Sequence, residues 1–451
     1  MSRVAVFYGK LPLMRRCRRS CTIEGNCTMS AFRSTLYMPA TAMDRTLRGL
    51  DSPEIQLNIG AVLHFDGQPL HLRDIQDYIA TRLAALPVLT VWMPQGTRQW
   101  TVADEVDLTS HVVERIVPAQ ENLEQVVVEL AKTPLPKDAP HWRMWLLRGY
   151  APDRYALLYL VHHGLQDGAG MLRTLESLFA PDIPESESSA AYHGFTQSPH
   201  TSARTRVQCA VADLQILRGL GSWDLPGCRP THEVGFAWSR VPTSALTSVA
   251  RAFGCTRNDV YVAALAHAIT LWQSEVRGSD DMPDIPFLVS ANVRRPDEVA
   301  LAGNRTAIPY LRLSGAPLPF DQRLTDTIRA TAPLKSPTIR AAMRRNFDST
   351  PAWLMRRTFS AISTPRRAPA SVSNVVLRHP LALHGDLVTA IDPITTTLGG
   401  LALSALLLVN GDSATACFRT DAGFSGLDQL HRMWEQTLLS WQSNAAALRS
   451  A

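Results

Sequence analysis

The sequence predicts an α+β protein in two halves, each a mixed β-sheet with helices packed outside it. Three observations predict this. Strand-length apolar runs are interspersed with segments of helical apolar spacing, and no internal repeat is evident. The chain has 451 residues, more than one compact core readily organises. A stretch rich in Ser, Pro and Glu, from Ala180 to about His200, has linker composition. The expected division is a basic arm or over-long start at 1–35, a first half at 36–180, a linker with bridging helix at 181–232, and a second half at 233–451.

In the first half, Gln56–Asp66 reads as a strand closed by Gly67, and Leu72–Leu86 as a helix with Ile75, Tyr78, Ile79, Leu83 and Leu86 on one face. Glu121–Lys132 reads as a helix stopped by Pro134-Leu-Pro136. Trp142–Gly149 and Tyr155–Val161 read as an antiparallel hairpin across the turn Ala151-Pro-Asp-Arg, followed by a helix from Gly170 to Phe179. Beyond the linker, Arg204–Leu220 reads as the bridging helix.

The second half opens with a strand, Glu233–Trp238, and a helix, Thr243–Phe253, ended by Gly254. Thr256 or Asn258 caps the helix Val260–Trp272. Strands follow at Pro286–Ala291 and Thr306–Leu313. Helices then fill much of Gln322–Ile362, broken at Pro333, Pro337 and Pro351. Four more strands are expected at Ser371–Leu377, Leu383–Ile391, Leu401–Val409 and Ser413–Arg419, before a last helix from Leu427 to about Ala447.

Composition excludes several classes. The hydrophobic share is 45% and the charged share 19%, as in soluble globular proteins. No run approaches the ~20 apolar residues of a transmembrane helix. The net charge of +5 is modest, and no basic block outside the N-terminus suggests nucleic-acid binding. The basic cluster Arg340–Arg345 reads as solvated helix surface. Seven dispersed cysteines, three of them Cys17, Cys21 and Cys27, match no zinc spacing and suggest reduced thiols in the cytoplasm.

The segment His162-His-Gly-Leu-Gln-Asp-Gly168 carries the chemistry. Two histidines emerge where a strand ends, and neighbours on a strand point to opposite faces. One is then structural, and His163, beside a glycine and followed by an acid, is the better general base. Asp167, at i+4, either orients the ring as the third member of a triad or turns away and holds the loop by pairing with a distant Arg. The Gly168 N–H could stabilise an oxyanion at the start of the next helix, where the helix dipole adds to it. Plainer readings are a satisfied core histidine, or two metal ligands at i, i+4 for which the sequence places no third. No G-x-S-x-G elbow is present.

This HHxxxDG segment resembles the signature of the condensation-domain, or chloramphenicol acetyltransferase-like, superfamily. More closely, the chain is similar to the bacterial wax ester synthase/diacylglycerol acyltransferase family from about Met43 to its end. The resemblance is carried by Leu57–Gly67, Pro134–Trp145, Thr256-Arg-Asn-Asp-Val260, Val289-Ser290 through Arg294-Arg-Pro with Gly303-Asn304, and Ser373-Asn374-Val375. It implies two chloramphenicol acetyltransferase-like subdomains with a tunnel at their junction. It also implies His163 as base for acyl transfer from a thioester, acyl-CoA or a carrier protein, to a hydroxyl or amine, with no bound cofactor or metal. His163 and Asp167 form the catalytic pair, and Asp167 mainly holds the loop. His162, Gly168, Asn258, Asp259, Ser373 and Asn374 are the candidate substrate contacts. Asn258 and Asp259 serve equally well as a helix cap, and Asn374 as a strand-end turn residue. The implied protein works in the cytoplasm, with peripheral membrane or lipid association open; an inactive scaffold member is the non-enzymatic alternative. Three places depart from the family pattern: His141, the run Val375-Val-Leu-Arg378, and Thr395-Thr-Thr-Leu-Gly-Gly400.

Overall fold

A computed structural model describes residues 40–450 apart from 52–55, 95, 182–201, 205–206, 208–210, 212–227, 278–282, 296–297, 299–300, 365–369 and 398–399. The expected arm at 1–35, most of the linker and bridging helix, and Cys17, Cys21, Cys27 and Cys209 lie outside the described residues.

The first half contains α1 (Ala42–Arg48), β1 (Asn58–Asp66), α2 (Leu72–Ala80), the short pair β2 (Val91–Trp92) and β3 (Thr101–Val102), α3 (Leu108–His111), β4 (Val112–Ile116), α4 (Leu123–Ala131), β5 (Trp142–Ala151), β6 (Arg154–His162) and α5 (Gly168–Phe179). The second contains β7 (Val234–Pro242), α6 (Thr243–Ala252), α7 (Arg257–Arg277), β8 (Ile285–Val289), β9 (Ala291–Asn292), β10 (Thr306–Ala307), β11 (Tyr310–Leu313), α8 (Phe320–Thr331), α9 (Pro337–Ser349), α10 (Ala352–Ile362), β12 (Ala370–Leu377), β13 (Ala382–Leu383), β14 (Asp386–Ile394), β15 (Leu403–Asn410), β16 (Ser413–Asp421) and α11 (Leu430–Ser450).

Two six-stranded sheets result, ordered β13-β14-β1-β6-β5-β4 and β11-β8-β12-β15-β16-β7. The expected hairpin of β5 and β6 is antiparallel, with Trp142 opposite Val161. β12 runs parallel to both β15 and β8, so the second sheet is mixed as expected. β14 was expected in the second half but pairs antiparallel with β1, placing Ile394 opposite Gly60. Both sheets thus draw on the C-terminal part of the chain, and the division at 181–232 does not separate them.

Local rules explain the remaining differences. The helix expected to reach Leu86 stops at Ala80, and Leu83–Ala85 is a 3-10 turn. Leu86 precedes Pro87, which disfavours helical geometry there; its φ and ψ are −124° and 67°. At the end of α6, Gly254 takes φ +61°, and the Cys255 N–H bonds Ala250 O at 2.9 Å, a Schellman cap. The strand expected over Thr306–Leu313 divides into β10 and β11 around Pro309. Helix α1 was not expected, although Thr41 and Asp44 form a capping box in which each side chain bonds the other's backbone N–H.

Alternation along β1 divides the first half's core. Ile59, Ala61, Leu63 and Phe65 pack with residues of α2 and α5. Val62, with Leu158, Leu160 and the apolar residues of α4, packs on the other face. This division decides where each histidine goes. Among the described residues no helix is long and apolar enough to cross a membrane.

Candidate active site

The turn after β6 separates the two histidines by role. His162 is 3% exposed; its Nδ1 accepts from the Gly164 N–H at 2.8 Å, so its proton sits on Nε2, which bonds Asp51 Oδ2 at 2.7 Å. Burial pushes the Asp51 carboxyl up, but the bonds from His162 and the Leu57 N–H and the Arg48 charge hold it below the usual range. Both His162 nitrogens are thus occupied, and the residue does not line the cavity that His163 borders. The expected substrate contact is corrected to a structural role.

His163 lines a cavity of about 780 Å³. Its backbone is fixed on both sides: the N–H donates to Leu57 O at 2.7 Å, and the C=O accepts from Asn304 Nδ2 at 2.6 Å. Ring Nδ1 lies 3.2 Å from Gln166 O. A carbonyl only accepts, so Nδ1 carries the proton and Nε2 carries the lone pair. Nε2 has no protein partner among the described residues. Burial pushes the ring's pKa below the ordinary histidine value and keeps it neutral, despite opposing effects of the Gln166 carbonyl and the Asp167 charge.

Asp167 is 1% exposed and does not touch the His163 ring. Oδ1 accepts from the Gly170 N–H at 2.8 Å, capping α5. Oδ2 accepts from Arg294 Nη2 and the Arg305 N–H, each at 2.8 Å. Burial pushes this carboxyl up, but the Arg294 charge and the backbone donors outweigh it and hold it below the usual range. Of the two roles open in the sequence, the structure has the second: Asp167 pairs with a distant Arg and positions the loop. It is not the third member of a triad.

Arg294 is the centre of that support. Nη1 donates to Glu298 O and Leu301 O at 2.6 and 3.0 Å, and Nη2 to Asp167 Oδ2 and Gly303 O at 2.8 and 2.9 Å. Gly303, at φ +91°, donates its N–H to Leu165 O at 2.6 Å; a Cβ there would lie 2.6 Å from Asp44 Oδ2, so only glycine fits without displacement. Asp44 Oδ1 in turn accepts from the Asn304 N–H at 2.7 Å. These partners were missed as site residues because they meet the loop from 120 or more positions away. Arg294 and Gly303-Asn304 were visible only as part of a resemblance.

Gly168, Ser373 and Asn374 line the cavity with His163. The N–H groups of Gly168 and Ala169, in the first turn of α5, have no acceptor among the described residues. Asn258 and Asp259 do not line it. Asp259 is fully buried in a capping box with Thr256, and it accepts from Thr331 Oγ1 at 2.5 Å and Lys335 Nζ at 2.6 Å. Both residues are corrected from substrate contacts to the start of α7, the cap alternative. Among the described residues no group of three or more His, Cys, Asp or Glu is placed to hold a metal.

Comparison with known proteins gives a consistent picture. Residues 41–222 match the model of the wax ester synthase/diacylglycerol acyltransferase catalytic domain. A putative diacylglycerol O-acyltransferase of Mycobacterium tuberculosis strain H37Rv is 25% identical over 250 residues, 48% of this chain and 52% of the relative. The chain therefore spans about half the length of that relative. A second from the same strain is 24% identical over 397 residues, 82% of this chain and 83% of the relative. Among solved structures, the wax ester synthase/diacylglycerol acyltransferase of Marinobacter aquaeolei VT8 superposes with TM-score 0.62 at 16% identity, covering 91% of this chain and 100% of that one. The first condensation domain of the CDA synthetase gives 0.61 at 16%, covering 92% and 97%. At these identities the structures speak for the fold, and they bear out the expected two-subdomain α+β class.

Proposed function

We propose that this chain is a member of the wax ester synthase/diacylglycerol acyltransferase family and transfers an acyl group from a thioester, acyl-CoA in the first instance, to a hydroxyl acceptor. The observation that carries this reading is the His163 ring. Its proton is committed to Gln166 O, and its other nitrogen, a neutral lone pair, is left unused by the protein at the wall of a large cavity.

The chemistry follows from that tautomer. Nε2 accepts the acceptor's O–H proton as the oxygen attacks the thioester carbonyl carbon. The negative charge moves to the carbonyl oxygen, for which the Gly168 and Ala169 N–H groups at the helix start are suitable donors. Collapse of the tetrahedral intermediate breaks the C–S bond, and the leaving thiolate takes the proton from Nε2. The depressed ring pKa matches this cycle, because the free enzyme holds the neutral base at neutral pH. Met43, Leu47, Ile59, Leu172 and Leu288 supply apolar wall for an acyl chain.

The test is His163→Ala assayed by thiol release from a mixed acyl-CoA pool with long-chain alcohols. The expected loss is about 10²–10⁴-fold in turnover with an unchanged circular dichroism spectrum. Turnover retained in the variant would overturn the assignment.

A further inference from the structure

A second cavity, of about 620 Å³, is lined by Asn58, Lys132, His232, Phe236, Thr395, Thr396 and Arg419 among others. It shares Thr395 and Thr396 with the cavity of His163. On β1 the alternation separates the two: Ile59 lines the first and Asn58 the second, on opposite faces of the sheet. The shared threonines lie just beyond the end of β14, in the segment that departs from the family pattern.

Two buried polar atoms at this second cavity, Arg419 Nη1 and Asn58 Oδ1, lack hydrogen-bond partners among the described residues. Arg419 is 5% exposed, yet its Nη1 has no acceptor and its guanidinium forms no ion pair. The nearest acid on its strand, Asp421, is spent on the N–H groups of Thr231, His232 and Gly423. Arg419's one described contact of note is the Phe236 ring, 5.8 Å away. Asn58 donates through Nδ2 to Ala131 O and Thr133 O, but its buried Oδ1 accepts nothing. A buried arginine whose counter-charge, Asp421, makes no ion-pair contact with it is costly, and a ligand anion lowers the cost. Lys132 adds a second cation at the exposed rim, against one carboxylate, Glu233.

We infer that this second cavity is an anion subsite for the acceptor, so that the alcohol acylated at His163 carries a carboxylate or phosphate that pairs with Arg419. The neighbouring Asn58 Oδ1 takes a donor on the same ligand. The inference rests on the acyl-transfer reading only for the word acceptor; the binding itself is read separately.

The test uses the full chain, wild type and the variants Arg419→Met, Arg419→Lys and His163→Ala. Binding is measured by calorimetry for ω-hydroxy acids of graded length, the matching ω-hydroxyalkyl phosphates, the plain alcohols, and CoA. The wild type is expected to bind one anionic series at least about ten-fold more tightly than the alcohols, the gain of one charge-assisted contact. Arg419→Met should abolish that preference, Arg419→Lys should restore part of it, and His163→Ala should keep it while losing transfer. The acid and phosphate arms identify which anion is used. No preference in the wild type overturns the proposal without recourse to any variant. CoA binding that depends on Arg419 while the acceptor series does not also overturns it, by assigning the site to the donor. Failure of transfer with the binding preference intact would instead count against the acyl-transfer reading.

Discussion

The starts of α5 and α7 make an instructive pair. Each has a buried aspartate engaged in capping, with a carboxyl held below its usual range despite burial. Both aspartates were singled out in the sequence, Asp167 for the catalytic pair and Asp259 as a substrate contact. Asp167 is bound across 127 residues by Arg294 and belongs to the loop that presents His163. Asp259 is bound across 72 and 76 residues by Thr331 and Lys335, and it fastens α7 to the end of α8 and the turn after it. Both carboxylates accept a backbone N–H at a helix start, Asp167 as the N-cap itself and Asp259 from the first turn, back to the N–H of its cap Thr256. What differs is the segment just before the cap: a strand end with an imidazole in one case, a helix–helix turn in the other.

The strongest way to break this comparison is to remove Arg294. Arg294→Met leaves the Asp167 carboxylate buried without its ion-pair partner, and stability should fall by about 3–5 kcal/mol in urea titration. In the surviving folded fraction, turnover should fall more than apparent substrate affinity. An unchanged denaturation midpoint would contradict the loop-holding role.

A second break uses pH at His141, whose ring lies 6.0 Å from that of His162 in the turn before the first terminus. His141 is 1% exposed, its ring nitrogens face Pro136 O and Met93 O, and burial lowers its pKa from 6.5 to about 4. The folded state thus binds this proton less well than the unfolded chain. Its contribution is complete above pH 6.5 and is lost as pH falls from there to about 4. The loss should be about 3 kcal/mol, and His141→Phe should flatten the stability profile over that window. Parallel profiles for the two proteins would remove His141 from the account.

The other terminus should respond more mildly. Asp259→Asn weakens the contact with Lys335 while keeping a side chain able to cap, and should cost about 1–2 kcal/mol of stability in the same urea assay. Its effect on acyl transfer should stay within about two-fold. A collapse of turnover would return Asp259 to the active site. The smallest effect belongs to Lys335→Ala. That lysine is 39% exposed, so screening by solvent limits the cost to about 1 kcal/mol or less.

The parts legible in the sequence are the local ones. The hairpin of β5 and β6, the turn, and α5 follow from apolar runs and glycines within 40 residues. The opposite orientation of His162 and His163 follows from strand alternation. That Asp167 would seek a distant Arg was legible, but which Arg was not: Arg294 stood out only within a family likeness, and nothing local ties it to the loop. Asp259 was misplaced because a family likeness was weighed against an equally visible cap: Thr256 stands three residues before it. The unpaired Arg419 left no trace, since an arginine on a strand reads the same whether it faces solvent or a cavity. β14 was found as a strand and assigned to the wrong sheet, because alternation tells which face is buried and not which neighbour provides the pairing.

That last assignment bears on how the protein is made. β1 receives its second hydrogen-bonding neighbour only from Asp386–Ile394. On the ribosome, the first sheet stays incomplete until late in synthesis. A product truncated before Asp386 would keep the HHGLQDG turn and yet expose a bare strand edge, the feature that invites wrong pairing between chains.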